Sequence, residues 1–131
     1  MFTPNEDYLI TTVPERGKWW IRALPLKGDS ARQPITLLGS DIPRQARLSH
    51  DGRWLAYISE ETGRPEVYVQ PFPGPGGRYQ VSSGGGVEPI WSPIQNEIFY
   101  RGGAWLIAAT LRTAPELSVV RRDTLFAMNA L

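Results

Sequence analysis

The sequence predicts an all-β fold made of about three four-stranded antiparallel units, and three observations lead to this prediction. There are 13 glycines and 12 prolines among 131 residues, a content that disfavours long helices. Five Trp, five Tyr and four Phe supply the large side chains that sheets favour. One stretch of sequence also recurs at intervals of 43 to 46 residues. Four-stranded units repeated at this interval are typical of the blades of a β-propeller.

The best-preserved copy of the repeat is "RLSHDGRWLAYISEETGRPEVYVQPF", residues 47–72. A shift of 46 residues aligns it, together with the two residues that follow it, with the first copy without a gap and preserves five identities: Leu55 with Leu9, Glu61 with Glu15, Gly63 with Gly17, Pro71 with Pro25 and Gly74 with Gly28. A shift of 43 residues aligns Leu55 and Tyr57 with Ile98 and Tyr100, and a four-residue deletion in the next turn extends the match to Leu111. An alternative is a β-sandwich with a chance internal similarity.

Each copy predicts the same elements in the same order. An inner strand ends in Ser or Thr and a turn, in "FTPNED", "LSHDGR" and "WSPIQN". The second strand is "YLITTV", "WLAYIS" or "EIFYRG", and a turn containing glycine follows it. The third strand is "WIRALPL", "EVYVQPF" or "WLIAATL", and a weaker outer strand closes the unit in "PITLL", "RYQVS" and "RDTLF".

The second and third strands lack strict alternation of apolar and polar residues, because segments such as "WLAYIS" and "WLIAA" are apolar on both faces. This pattern is typical of a strand whose sheet lies between two other sheets. We therefore expect a partial blade in residues 1–40, a full blade in 41–83, and a third blade with a C-terminal tail in 84–131.

At these residues the chain resembles the TolB-like propeller family, whose repeat reads W-S-P-D-G, an apolar strand, "IYV" and a polar outer strand. The segment "LSHDGRWLAYISEETGRPEVYVQPFPGPGGRYQVSSGGGVEPIWSP" carries the resemblance. It is most similar to the C-terminal propeller of bacterial, acidobacterial-type serine/threonine protein kinases. His50 stands where the family has proline, and Ile94-Gln95 replaces Asp-Gly in the third copy. The sequence contains no kinase motif, so kinase activity is not carried over.

The resemblance implies a ring of six blades, of which this chain supplies about half. Three blades alone leave two apolar faces and open strand edges exposed. We therefore expect a homodimer that closes a six-bladed ring by two-fold symmetry. The first copy lacks most of its inner strand, and residues 127–131 ("AMNAL") are expected to supply it to the partner. The alternative is that the chain is half of a longer protein.

Charge and composition restrict the partner classes. With 14 basic and 13 acidic residues, we expect no nucleic-acid partner. No signal-peptide pattern and no run of 18 apolar residues is present, so no membrane insertion is expected. The chain has no cysteine and one histidine, His50. Since a metal site or a hydrolase triad needs further ligands or partners, we expect no cofactor, no metal and no catalytic residue.

Candidate binding residues lie on the inner strands, because propellers present ligands at the mouth of the central channel. Arg44, Arg47 and Glu88 are the predicted channel-facing polar residues; alternatively they are solvated or paired with each other. The pair Glu60-Glu61 is interpreted as solvated charge, and the glycine-rich segments 73–77 and 82–86 as turns rather than phosphate loops.

The aromatic residues are a second possible source of binding surface, because they could stack on nucleic-acid bases. Their recurrence at equivalent positions favours core packing instead. Trp19 and Trp20 are the exception, because adjacent residues point to opposite faces of a strand and one of them is expected at a blade–blade contact or at an interface.

The preferred interpretation is a non-enzymatic propeller scaffold or sensor that binds a protein or a small ligand. One alternative is a lyase or hydrolase whose channel site is assembled across chains. The other is a structural fragment of a larger propeller without independent function.

Overall fold

A computed structural model describes residues 3, 7–28, 35–40, 44–74 and 76–130, which form three antiparallel sheets. Blade 1 has the order β1 (Tyr8–Glu15), β2 (Lys18–Pro25), β3 (Ile35–Ser40). Blade 2 has the order β4 (Arg44–Leu48), β5 (Trp54–Ser59), β6 (Glu66–Pro71), β7 (Tyr79–Gln80). Blade 3 has the order β8 (Val87–Trp91), β9 (Glu97–Gly102), β10 (Trp105–Arg112), β11 (Ser118–Ala127), and a 3-10 turn η1 (Met128–Ala130) follows. The all-β prediction is confirmed.

The three copies share one turn geometry where the inner strand passes into the second strand. A buried Ser or Thr holds this turn, and its amide donates to a carbonyl five residues later: Thr3 to Tyr8 at 3.0 Å, Ser49 to Trp54 at 2.8 Å and Ser92 to Glu97 at 2.8 Å. A second equivalent set closes the far end of each hairpin: Leu26 to Asp7, Phe72 to Arg53 and Leu111 to Asn96, each at 2.8 Å. These bonds fall at the positions that the sequence shifts align, so the predicted register of the repeat is confirmed.

Two apolar clusters join the blades. The first packs blade 1 against blade 2 and contains Ile10, Ile21, Ala23, Leu55, Tyr57, Tyr68 and Phe72. The second packs blade 2 against blade 3 and contains Ala56, Val67, Val69, Val81, Ile98, Tyr100, Ala109 and Leu111. Successive residues of β5 alternate between the two clusters, because neighbouring side chains of a strand point to opposite faces. Blade 2 is therefore covered on both faces, as the apolar pattern of "WLAYIS" predicts.

The outer faces of blades 1 and 3 carry apolar residues as well. Alternation from the first cluster puts Leu9, Val13, Trp20 and Leu24 on what we call the open face of blade 1. Alternation and pairing from the second cluster put Phe99, Leu106, Ala108, Ile90 and Phe126 on the open face of blade 3. None of these nine residues belongs to either cluster of the described chain, and Ile90 is 63% and Phe126 39% exposed.

A buried polar network fixes the turn between blades 2 and 3. The Ser82 hydroxyl accepts a hydrogen bond from the Val67 amide at 2.7 Å and donates to Glu66 Oε1 at 2.6 Å. The Gly85 amide donates to the same Glu66 oxygen at 2.9 Å. Since Glu66 and Ser82 are both buried, these bonds replace the water that each polar group loses on folding.

The aromatic residues divide between core and surface. Tyr57, Tyr68 and Tyr100 are buried in the two clusters, which confirms the core prediction for them. The same prediction is wrong for Trp105, which is 49% exposed. Trp105 begins β10 directly after the two-residue turn at residues 103–104, at the exposed end of the strand and away from its buried middle. Trp19 is also exposed, whereas Trp20 is half-buried on the open face of blade 1.

Residues Met128–Ala130 of the expected exchange strand form the turn η1 in this structure. The Met128 amide donates to the carbonyl of Ala104 at 2.6 Å, so this end folds back on its own blade. The exchange of an extended tail between subunits stays a prediction, and Leu131 lies outside the described residues.

Candidate functional site at the inner rim

The inner strands of blades 2 and 3 lie side by side and form the inner rim, defined here as β4, β8 and the turns that follow them. The indole Nε1 of Trp91 on β8 donates to the carbonyl of Arg47 on β4 at 2.9 Å. This bond joins residues 44 positions apart and fixes the two strands relative to each other. The rim thus carries all three predicted binding residues.

The structure describes the side chain of one of the two arginines of β4 and only the backbone of the other. Arg47 is exposed, and its Nη1 donates to the carbonyl of Ala46 at 3.1 Å. Arg44 begins β4 with its backbone opposite Ile58, and its side chain lies outside the described part of the chain. The exposed guanidinium of Arg47 is available to an anionic or hydrogen-bonding partner.

Glu88 occupies an irregular position on β8. Its φ of 57° lies in the left-handed region, and the pairing with β9 shifts register between Val87 and Ile90. A β-bulge of this kind redirects a side chain out of the regular alternation. The Glu88 carboxylate pairs with Nη2 of Arg101 at 3.1 Å, and both side chains remain partly exposed. Glu88 thus has an ion-pair partner, Arg101, that is not one of the three predicted binding residues.

Two shallow grooves lie between the turns that follow β4 and β8. One, of about 180 Å³, is lined by residues 49–51 and 91–96, and the other, of about 200 Å³, by residues 47, 48, 50 and 90–93. Both share His50 and Trp91. Each is smaller than the roughly 300–1,000 Å³ typical of enclosed small-molecule sites. Their size suits single side chains of a partner rather than a whole cofactor.

The turn at Asp51 forms one wall of the first groove and is internally hydrogen-bonded. The Ser49 hydroxyl donates to Asp51 Oδ1 at 2.6 Å, and the Arg53 amide donates to the same oxygen at 3.1 Å. Burial by itself would raise the pKa of Asp51, but the hydrogen bonds to the carboxylate, together with the positive charge of Arg53, outweigh it and the pKa is lowered. The carboxylate therefore stays ionised and holds the turn in shape.

Sequence reasoning missed the apolar part of the rim. Ile94 is 88% exposed on the turn after β8, and Ile90 is exposed on the strand itself. The available signal was the departure at Ile94-Gln95, where the family pattern has Asp-Gly. An isoleucine at a solvated turn position exposes apolar surface that contributes nothing to the fold.

Among the described residues no group of three or more His, Cys, Asp or Glu side chains could hold a metal ion. Within the same residues no helix has the length and apolarity needed to cross a membrane.

Comparison with known proteins shows a likeness to solved structures. No family model and no curated protein matches the chain. A solved structure described as "The structure of putative TolB from Agrobacterium tumefaciens" matches with a TM-score of 0.68 and 14% identity. The match covers 95% of this chain and 47% of the other, so this chain spans about half the length of that protein. At this identity the likeness shows the fold, which is that of a TolB-like β-propeller.

Proposed function

We propose that the chain is a non-enzymatic propeller scaffold that binds a second copy of itself to close a six-bladed ring. In this proposal the inner rim, with Arg47 and Glu88, faces the channel and receives a protein partner or a small ligand. The resemblance to the propellers of bacterial receptor kinases motivates a sensing role for that surface.

The observation that carries the proposal is the pair of open faces on blades 1 and 3. The internal blade contacts bury every residue of the two clusters, whereas the outer faces present Phe99, Leu106, Trp20 and Leu24 without a covering sheet in the described chain. Apolar surface of this kind favours association, since burial contributes roughly 25 cal/mol per Å². A second copy would cover both faces at once.

Two alternatives compete with this proposal. No observation among the described residues favours a channel lyase or hydrolase assembled across chains. The alternative of a structural fragment predicts the same blades but no defined self-association.

The test is the mass of the protein in solution, measured by light scattering over a dilution series. The chain has a mass of 14.7 kDa, so the proposal predicts a species of about 29 kDa that dissociates only on dilution. A well-folded monomer at all concentrations, or an open-ended series of larger species, contradicts closure by two copies.

A further inference from the structure

The open face of blade 3 and the open face of blade 1 differ from the internal faces at one central position of the repeat. On the face that each blade turns toward the next blade, the second strand carries Ile10, Ala56 and Phe99 in blades 1, 2 and 3. On the opposite face the next residue is Thr11, Tyr57 and Tyr100. These equivalences follow from the register that the repeated hydrogen bonds fix.

The internal contacts combine a tyrosine with a smaller residue. Ile10 and Tyr57 belong to the cluster between blades 1 and 2, and Ala56 and Tyr100 to the cluster between blades 2 and 3. The interior of a protein is close-packed, so a face with a large residue at this position requires a small residue opposite it.

On the two open faces the relative sizes of the residues at these equivalent positions are reversed. Blade 3 presents Phe99, which is larger than Ile10 and Ala56, and blade 1 presents Thr11, which is smaller than Tyr57 and Tyr100. A face carrying tyrosine at this position would be overpacked against Phe99, whereas a face carrying threonine leaves room for it. Each open face therefore fits the other better than it fits a blade face of the internal kind.

We infer that Phe99 of one copy packs against Thr11 of the partner subunit, and that this exchange of sizes selects blade 1 of a second copy as the neighbour of blade 3. The inference rests on the proposed function, because it names the residues by which the two copies recognise each other. Two-fold symmetry repeats the same contact at the second junction of the ring, so one pair of residues sets both junctions.

The charge on the open face of blade 1 is compatible with this contact. Arg22 occupies the position that Tyr68 has in blade 2, and its guanidinium is paired with Glu15 of the same blade. A charge that already has its partner can border an apolar junction, whereas an unpaired charge would oppose its formation.

The test uses the full chain and two substitutions that exchange the large and the small side chain of this contact. Phe99→Ala removes the large side chain, and Thr11→Tyr fills the space that it needs. We expect each change alone to raise the dimer dissociation constant at least about 100-fold, since truncating or overpacking a buried aromatic contact is costly. The double variant recreates the Ala56–Tyr100 combination of the internal contact and is expected to return to within about tenfold of the parent protein.

Sedimentation velocity over a dilution series measures these constants, and far-ultraviolet circular dichroism shows that each variant is folded. Trp105→Ala is the matched control, because Trp105 is an exposed aromatic residue of blade 3 on the strand face of Ile107, opposite to the open face, and it should leave the constant unchanged. If the parent protein is a dimer but the double variant dissociates as readily as either single variant, the size exchange is wrong and ring closure stands. If the parent protein is a monomer, both proposals fail.

Discussion

Substitution of Ser82 by alanine tests the packing of the turn that joins blades 2 and 3. The Ser82 hydroxyl accepts a hydrogen bond from the Val67 amide at 2.7 Å and donates one to the Glu66 carboxylate at 2.6 Å. Both bonds are lost in the variant, and no water can replace them because Ser82 and Glu66 are buried. A neutral hydrogen bond contributes about 1 kcal/mol and one to a charged group about 1.5–3 kcal/mol, so we expect a loss of about 2–4 kcal/mol in the free energy of unfolding.

Urea unfolding at one fixed protein concentration measures this loss, since association would otherwise shift the midpoint. Ser83→Ala is the matched control, because Ser83 is the exposed neighbour in the same turn and its change should stay within about 0.5 kcal/mol. A Ser82→Ala variant as stable as this control would refute the claim that the network holds the turn.

Three further outcomes test separate parts of the structure. Gly86→Ala should lower the unfolding midpoint because its Cβ would lie 2.5 Å from the Ser82 side chain, whereas Gly77→Ala, with open space around its Cβ, should be neutral. Leu55→Ala should cost about 2–5 kcal/mol in urea unfolding, since Leu55 is fully buried between blades 1 and 2, and a loss below 1 kcal/mol would contradict that packing. The lowered pKa of Asp51 stabilises the fold above the usual value of 3.8, and this stabilisation disappears as the pH falls through the lower folded-state pKa. The free energy of unfolding, measured against pH, should therefore differ in its pH dependence between the parent protein and Asp51→Asn in that range, and the two curves should run parallel near neutral pH. Identical midpoints of acid unfolding would count against the role of this carboxylate.

The repeat made much of the fold predictable from the sequence. A gapless shift fixes which residues share a position, and strand alternation then assigns Leu55 and Ala56 to opposite faces. The hydrogen bonds of the three turns appear where that register requires them. Local pattern does not reveal the Glu66–Ser82 pair, because it joins residues 16 positions apart that belong to no motif.

The candidate site was predictable only in part. The prediction that Arg47 and Glu88 lie on inner strands follows from the repeat, but the left-handed backbone of Glu88 depends on a register shift that no local sequence signal marks. The exposure of Ile90 and Ile94 was missed because it depends on how the turns of two blades are placed, which a local pattern does not show. Trp105 was assigned to the core because aromatic residues recur at equivalent positions of the repeat, but it lies at the exposed start of β10.

A crystal structure of the assembled protein tests ring closure most directly. Ring closure predicts six blades around one axis, with a two-fold axis between two copies and Phe99 packed against Thr11 of the partner subunit. A three-bladed arc with both open faces in solvent, or copies joined through other surfaces, would contradict it.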